Sequence, residues 1–259
     1  MSGLSGHAAA TQGIAGDPAS AIHRLDPRAK LLGLLGVTVV AVSTPLSAWP
    51  VWVLCGVVLA VVAAIARVPA AVIWRRSRVV LPLVLFVAAF VPFVRTGGAT
   101  HQLGPFEVSE AGLVTLAGVA ARATIGTVSA VLLNATTAFP AVLRALEAFR
   151  VPRLLVLIAA FTYRYLFVVV AEAGRVRAGL ASRAYDPRHA LHGGAIGRAA
   201  SVLFLRTHAR AERVHLAMLA RGFTGSMPRA EALRAGSADV LFLAALALLV
   251  PARILLEVA

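Results

Sequence analysis

The sequence predicts an all-α polytopic membrane protein, with about five transmembrane helices and a cytoplasmic domain of one short and two long amphipathic helices. Three observations predict it. Hydrophobic residues fill 59% of the 259 positions and charged residues only 14%, against about 45–50% and ~25% in soluble domains. Mean hydropathy is +0.85, more apolar surface than one small core can bury. The net charge is +14, from 25 basic and 11 acidic residues, and the basic residues sort to one side of the apolar runs. A disordered chain is excluded, and a soluble globule is disfavoured. A nucleic-acid binder would need a polar surface that this composition does not supply.

Residues 1–24 read as a mobile tail, small and polar, with no cleavage pattern of a signal peptide after the apolar stretch that follows. Residues 25–138 hold four transmembrane helices. Asp26 can cap the first of them and Pro27 suits its first turn, so an apolar run over about 29–46 follows. A turn at Thr44–Ala48 leads to the second run, about 49–66, with Trp49 and Trp52 as interfacial anchors. Arg67, Trp74, Arg75, Arg76 and Arg78 then form a basic, aromatic belt. The third run, about 79–94, contains Pro82 and Pro92 and is expected to kink. Residues 95–110 read as a polar loop, and the fourth run covers about 111–138. The last span, about 238–256, belongs to a segment 237–259.

Sidedness follows from counting. Three basic residues stand in the N-terminal segment around the start of the first run, four follow the second, and fifteen lie in 139–236. Cytoplasmic loops carry such an excess, so the N-terminus, the second loop and 139–236 are placed in the cytoplasm. Within 139–236, a short amphipathic helix runs from Phe139-Pro140 to about Arg150. A long one continues from Val151-Pro152 toward Arg183. Arg153, Arg164 and Arg175 recur every eleven residues, which at about 100° per residue returns them to within ~20° of one face. After Asp186-Pro187 and Gly193-Gly194, a second long helix covers about 195–221, with Arg198, Arg206, Arg210, Arg213 and Arg221 on one side. Hydropathy would also allow 152–171 to cross the bilayer; Arg153, Arg164 and the parity of five spans argue for the cytoplasmic placement.

Groups for chemistry are scarce. Lys30 is the only lysine and Leu31 follows it, so no Walker A motif exists, nor does a G-x-S-x-G or H-E-x-x-H motif. No acid lies inside the five runs, with Asp239 and Glu257 at the ends of the last, which disfavours a carboxylate relay. His208 and His215 share a helix face without metal-ligand spacing. Cys55, the single cysteine, excludes an intrachain disulfide and reads as packing. Arg122 is the one charge deep in a span, a candidate for an intramembrane interaction whose partner would be a carbonyl, water or another subunit. Gly118, Ala120, Ala121 and Gly126 permit close helix approach.

The two long helices end alike, as Ala181-Ser182-Arg183-Ala184-Tyr185 and Leu219-Ala220-Arg221-Gly222-Phe223. Together with His23-Arg24-Leu25-Asp26-Pro27-Arg28-Ala29-Lys30 and Val151-Pro152-Arg153-Leu154-Leu155, they give a chain that closely resembles the transmembrane (T) component of energy-coupling factor (ECF) transporters, the CbiQ/EcfT family. The resemblance runs over about 21–228 and is strongest to the cobalt-type member. It implies a non-catalytic scaffold in the bacterial inner (plasma) membrane, with no cofactor of its own and no bound metal. Two cytoplasmic ABC ATPase subunits would carry ATP and Mg. A substrate-binding (S) membrane subunit, with or without a small accessory subunit, would hold cobalt, nickel or a vitamin. The resemblance also implies that Ser182, Arg183 and Ala184, and Ala220, Arg221 and Gly222, contact the ATPases. Ala184 departs from the usual glycine. The competing classes are a multi-pass enzyme acting on lipids, which lacks clustered acids, and a stand-alone carrier, which lacks a repeat.

Overall fold

A computed structural model describes residues 17, 20–45, 48–78, 82, 86, 100–103, 106–183, 193–225 and 236–258. The chain folds as ten described helices and one hairpin: α1 (Ala21–Arg24), α2 (Pro27–Ser43), α3 (Trp49–Ile65), α4 (Ala70–Ser77), β1 (Thr100–Leu103), β2 (Phe106–Ser109), α5 (Glu110–Thr136), α6 (Phe139–Ala148), α7 (Arg153–Ala181), α8 (Gly193–Ala220), α9 (Ser237–Ala247) and α10 (Leu249–Val258). It is a polytopic membrane protein. It divides into two compact units, one made of 1–148 with 233–259 and the other of 149–232.

Helix α2 is the centre of the first unit. Asp26 caps it by accepting the Arg28 N–H at 2.8 Å, with Pro27 in the first turn, and Pro45 ends it by holding Thr44 in an extended conformation. Its inward stripe is Ala29, Gly33, Leu34, Val37 and Ala41, the spacing of one helical face. Leu32, Leu35, Val39 and Val42 remain exposed on the other side, as suits a helix in hydrocarbon. Helices α3, α5, α6, α9 and α10 all pack against it. In α3, Val51, Cys55, Leu59 and Val62 are buried along one stripe while Val53, Val57, Val61 and Ile65 are exposed. Cys55 is fully enclosed, and its role is packing.

Several features depart from the sequence expectation. The tail expected through residue 24 ends earlier, because α1 buries Ile22 and Asp17 pairs with Arg67 at 2.8 Å. The basic belt after α3 is a short helix, α4, set off by Arg67 at φ 51°. The stretch read as a polar loop contains the antiparallel pair β1–β2, in register Thr100↔Ser109 to Leu103↔Phe106. The last span is interrupted at Leu248, because Pro251 has no N–H to give to the carbonyl four residues back. The short helix α6 packs on α2 in the first unit, so packing divides the chain after Ala148, ten residues later than charge does. Apart from Pro82 and Phe86, both helical, the third run with its expected kinks lies outside the described residues.

Among the described residues, Val114–Thr136, Arg153–Ala181 and Ser237–Leu255 are long and apolar enough to cross a membrane, and Trp49–Ile65 is a shorter apolar helix. At about 1.5 Å per residue, the 17 residues of α3 span ~26 Å, close to the bilayer core of ~30 Å.

Candidate functional site

Among its described residues, the second unit consists chiefly of α7 and α8. No described residue between 149 and 225 is buried. The three arginines of the α7 stripe, Arg153, Arg164 and Arg175, are all exposed. One carboxylate ties the two helices together: Glu172 on α7 accepts from Arg206 on α8 at 2.7 Å and from Arg175 on its own helix. A groove of about 860 Å³ runs between the helices, lined chiefly by apolar side chains including Leu157, Phe161, Tyr165, Val168, Leu205 and Met218. A 29-residue helix as apolar as α7, with none of its spanning window buried, needs lipid or another protein to cover it.

Both helix ends are built by local hydrogen bonds. Arg221 donates its N–H to the Met218 carbonyl at 3.0 Å, Gly222 to Leu219 at 2.9 Å and Phe223 to Met218 at 3.0 Å. That pair of bonds from the two residues after the cap is a Schellman end. It requires a left-handed residue, and Gly222 sits at φ +79°. Phe223 and Met218 both line the groove, the apolar pairing that accompanies this cap. The small-Arg-small-aromatic signature is therefore a helix stop that leaves Arg221 exposed at the tip.

The first tip is similar up to its arginine. Ser182 is the C-cap of α7, its N–H donating to Ala178 at 3.0 Å and its hydroxyl to Gly179 at 3.0 Å. Arg183 is exposed and donates its N–H to Leu180 at 3.1 Å, the bond that Arg221 makes to Met218. Ala220 ends α8 and is exposed. Ala184 lies outside the described residues.

Arg122, in contrast, belongs to the membrane unit. Its guanidinium donates to the Thr44 carbonyl at 2.7 Å and lies 5.4 Å from the Trp52 ring centroid. Arg253 reaches the same helix end, donating to the Ser43 hydroxyl at 2.7 Å and carbonyl at 2.9 Å, and Trp52 Nε1 donates to Ala41 at 3.2 Å. Three other helices thus supply donors to the C-terminal carbonyls of α2, where unpaired acceptors and the helix dipole favour cations. Trp52, expected from sequence as an interfacial anchor, serves here as a helix cap. Among the described residues, no three His, Cys, Asp or Glu converge to hold a metal ion.

The sequence reading missed Glu172 as the tie between the long helices. Its signal was present, since it is the only acid among the 29 residues of α7.

Comparison with known proteins places these features in context. The model of the family CbiQ, cobalt transport protein, matches residues 18–231. The chain is 26% identical over 217 residues to a fused cobalt transport protein CbiMQ of Methanocorpusculum labreanum, covering 81% of this chain and 36% of that one. It is 35% identical over 121 residues to an ABC transporter ATP-binding protein of Bifidobacterium longum, covering 46% of this chain and 15% of that one. The chain spans well under half the length of either relative.

Proposed function

We infer the function from one premise: the chain belongs to the CbiQ family of cobalt transport proteins. On that premise it is the T subunit of an ECF-type ABC importer in the bacterial inner membrane, with its N-terminus in the cytoplasm. It joins two cytoplasmic ATPases to a substrate-binding membrane subunit, and the cargo is the cobalt ion. The subunit itself is non-catalytic. ATP and Mg belong to the ATPases, and the ion to the S subunit, with or without a small accessory subunit.

The observation that carries this reading is the pair of exposed arginines ending two long helices with the same backbone bond. A guanidinium is planar, carries five donors and stays charged when partly desolvated, so it can satisfy carbonyls or a carboxylate in a groove on a partner. Ser182, Arg183 and Ala184 would meet one ATPase and Ala220, Arg221 and Gly222 the other. Small neighbours let each tip approach closely. When the ATPases close on ATP, the two tips would move together and shift the apolar surface between α7 and α8, on which the S subunit would rest. That surface is uncovered in this chain, which supports a membrane partner. The relative named as an ATP-binding protein supports the ATPase pairing.

The test is co-purification from detergent with the ABC ATPases, comparing wild type with the Arg183→Ala/Arg221→Ala double variant. Capture by wild type and loss in the variant are expected. Capture that persists would move the coupling surface elsewhere, and a wild type that captures no ATPase would sink the reading. Uptake of nickel or a vitamin in place of cobalt by the assembled complex would correct the substrate alone.

A further inference from the structure

The proposal that the chain is a coupling subunit leaves the motif around Asp26 and Lys30 without a use. The structure gives these residues a specific place. Lys30 is 2% exposed, Asp26 7% and Asp239 6%, three buried ionisable side chains in an apolar bundle. Lys30 Nζ donates to the Thr136 carbonyl at 3.0 Å and the His23 carbonyl at 3.2 Å. Asp239 accepts the Asp26 N–H at 2.6 Å with one oxygen and the Gly236 N–H at 2.7 Å with the other. Four helix ends therefore meet at two side chains: the C-terminal ends of α1 and α5 on Lys30, the N-terminal ends of α2 and α9 on Asp239. Each bond answers a backbone group that a helix end leaves unpaired, and an ammonium among C-terminal carbonyls is the favoured sign.

The position of these ends in the chain matters more than their number. The second unit is joined covalently to the first only at its two ends, residues 148–149 and 232–233. Thr136 ends the helix before α6, the last element ahead of the first junction and itself packed on α2, and Gly236 lies three residues after the second junction. The chain that leaves for the second unit and the chain that returns from it are thus both fastened to the start of α2. An apolar residue at position 30 would be cheaper to bury, but it would leave the Thr136 and His23 carbonyls without this donor and hold the end of α5 to α2 by apolar packing alone.

We propose that Lys30, Asp26 and Asp239 form a clamp that makes both ends of the coupling segment move with α2. They are positioning residues: a displacement of α7 and α8 enters the membrane unit as motion of α2 with α5 and α9 rather than as slack at the junctions. The inference rests on the coupling-subunit reading, and its test separates the two. The chain is co-expressed with its ATPases and S subunit, reconstituted in vesicles, and assayed for cobalt(II) uptake and phosphate release on one preparation.

Lys30→Met and Asp239→Ala are expected to retain ATPase capture and phosphate release but to lower ions taken up per ATP about tenfold, the scale of a lost coupling contact. Lys30→Arg keeps a buried cation and is expected to stay within roughly threefold of wild type. Unchanged uptake per ATP in assembled Lys30→Met overturns the clamp, as does a Lys30→Arg variant that is no better. Uptake and hydrolysis falling in proportion, or assembly lost in both primary variants, makes the group a folding element and also overturns it. A wild type that captures no ATPase refutes the coupling reading instead.

Discussion

Gly222→Ala isolates the geometry of one of the two tips proposed to couple from its charge. Gly222 holds φ +79°, and a Cβ placed there meets nothing within 4 Å. No steric neighbour contributes, so the penalty is that of a left-handed L-residue, about 1–2 kcal/mol. The alternative is to unwind the cap, which breaks the bonds from Gly222 and Phe223 to Leu219 and Met218 and redirects Arg221. If binding to the ATPase requires the capped tip, all of that cost appears in affinity. At ~1.4 kcal/mol per decade, the dissociation constant rises roughly 5–30-fold. Asparagine adopts the left-handed region more readily, so Gly222→Asn should lie within about threefold of wild type. The assay is a titration of purified ATPase against the detergent-solubilised chain, with Arg221→Ala as the floor. Binding of Gly222→Ala equal to wild type, or a Gly222→Asn variant as weak as Gly222→Ala, would refute the reasoning.

Three further outcomes are expected. Gly33→Ala places a Cβ 2.5 Å from Leu246 Cδ1 and 2.7 Å from Phe242 Cε1, so α2 and α9 must part or repack; overpacking of this kind costs about 1–3 kcal/mol, read as a lower melting temperature in detergent. Arg122→Met removes the donor to Thr44 and the stack on Trp52, and leaving a buried carbonyl unpaired should cost about 1–3 kcal/mol in the same assay, with ATPase capture unchanged. Reversing Glu172 to Arg should weaken uptake by breaking the tie to Arg206, and adding Arg206→Glu should recover part of it. Equal defects in the single and double variants would show that the pair does not couple α7 to α8.

Local chemistry made much of the fold legible. The start of α2 was readable because Asp-Pro before an apolar run acts within three residues, and the end of α8 because Arg-Gly-aromatic encodes its own cap. Three of the five apolar runs, 49–66, 111–138 and 238–256, coincide with the apolar helices Trp49–Ile65, Val114–Thr136 and Ser237–Leu255, since a helix in a bilayer satisfies its backbone internally. Weaker signals failed. Four-residue strands at Thr100–Leu103 and Phe106–Ser109 are too short for alternation to emerge from a polar stretch. Small residues in α5 suggested close approach, and α5 does pack on α2; at Gly126 a Cβ would rest at 3.5 Å from Thr38 Cγ2, an ordinary contact, whereas at Gly33 on α2 it would meet side chains of α9 at 2.5 and 2.7 Å. Composition shows which helices tolerate close neighbours, not which neighbour arrives.

By itself, then, the sequence determined the class of protein, the distribution of its charge and the two arginine tips, because periodicity, hydropathy and capping act over a few residues. Only the tertiary structure decided what the isolated charges do. Arg122 pairs with a carbonyl 78 residues away, and Asp239 with a backbone N–H 213 residues away. Every residue offers a carbonyl, and all but proline an N–H, so such partners leave no mark in residue identity. Two aspartates, Asp26 and Asp239, would even be read as repelling. They meet because one contributes its carboxylate and the other its main chain, an arrangement that exists only once the helices have packed.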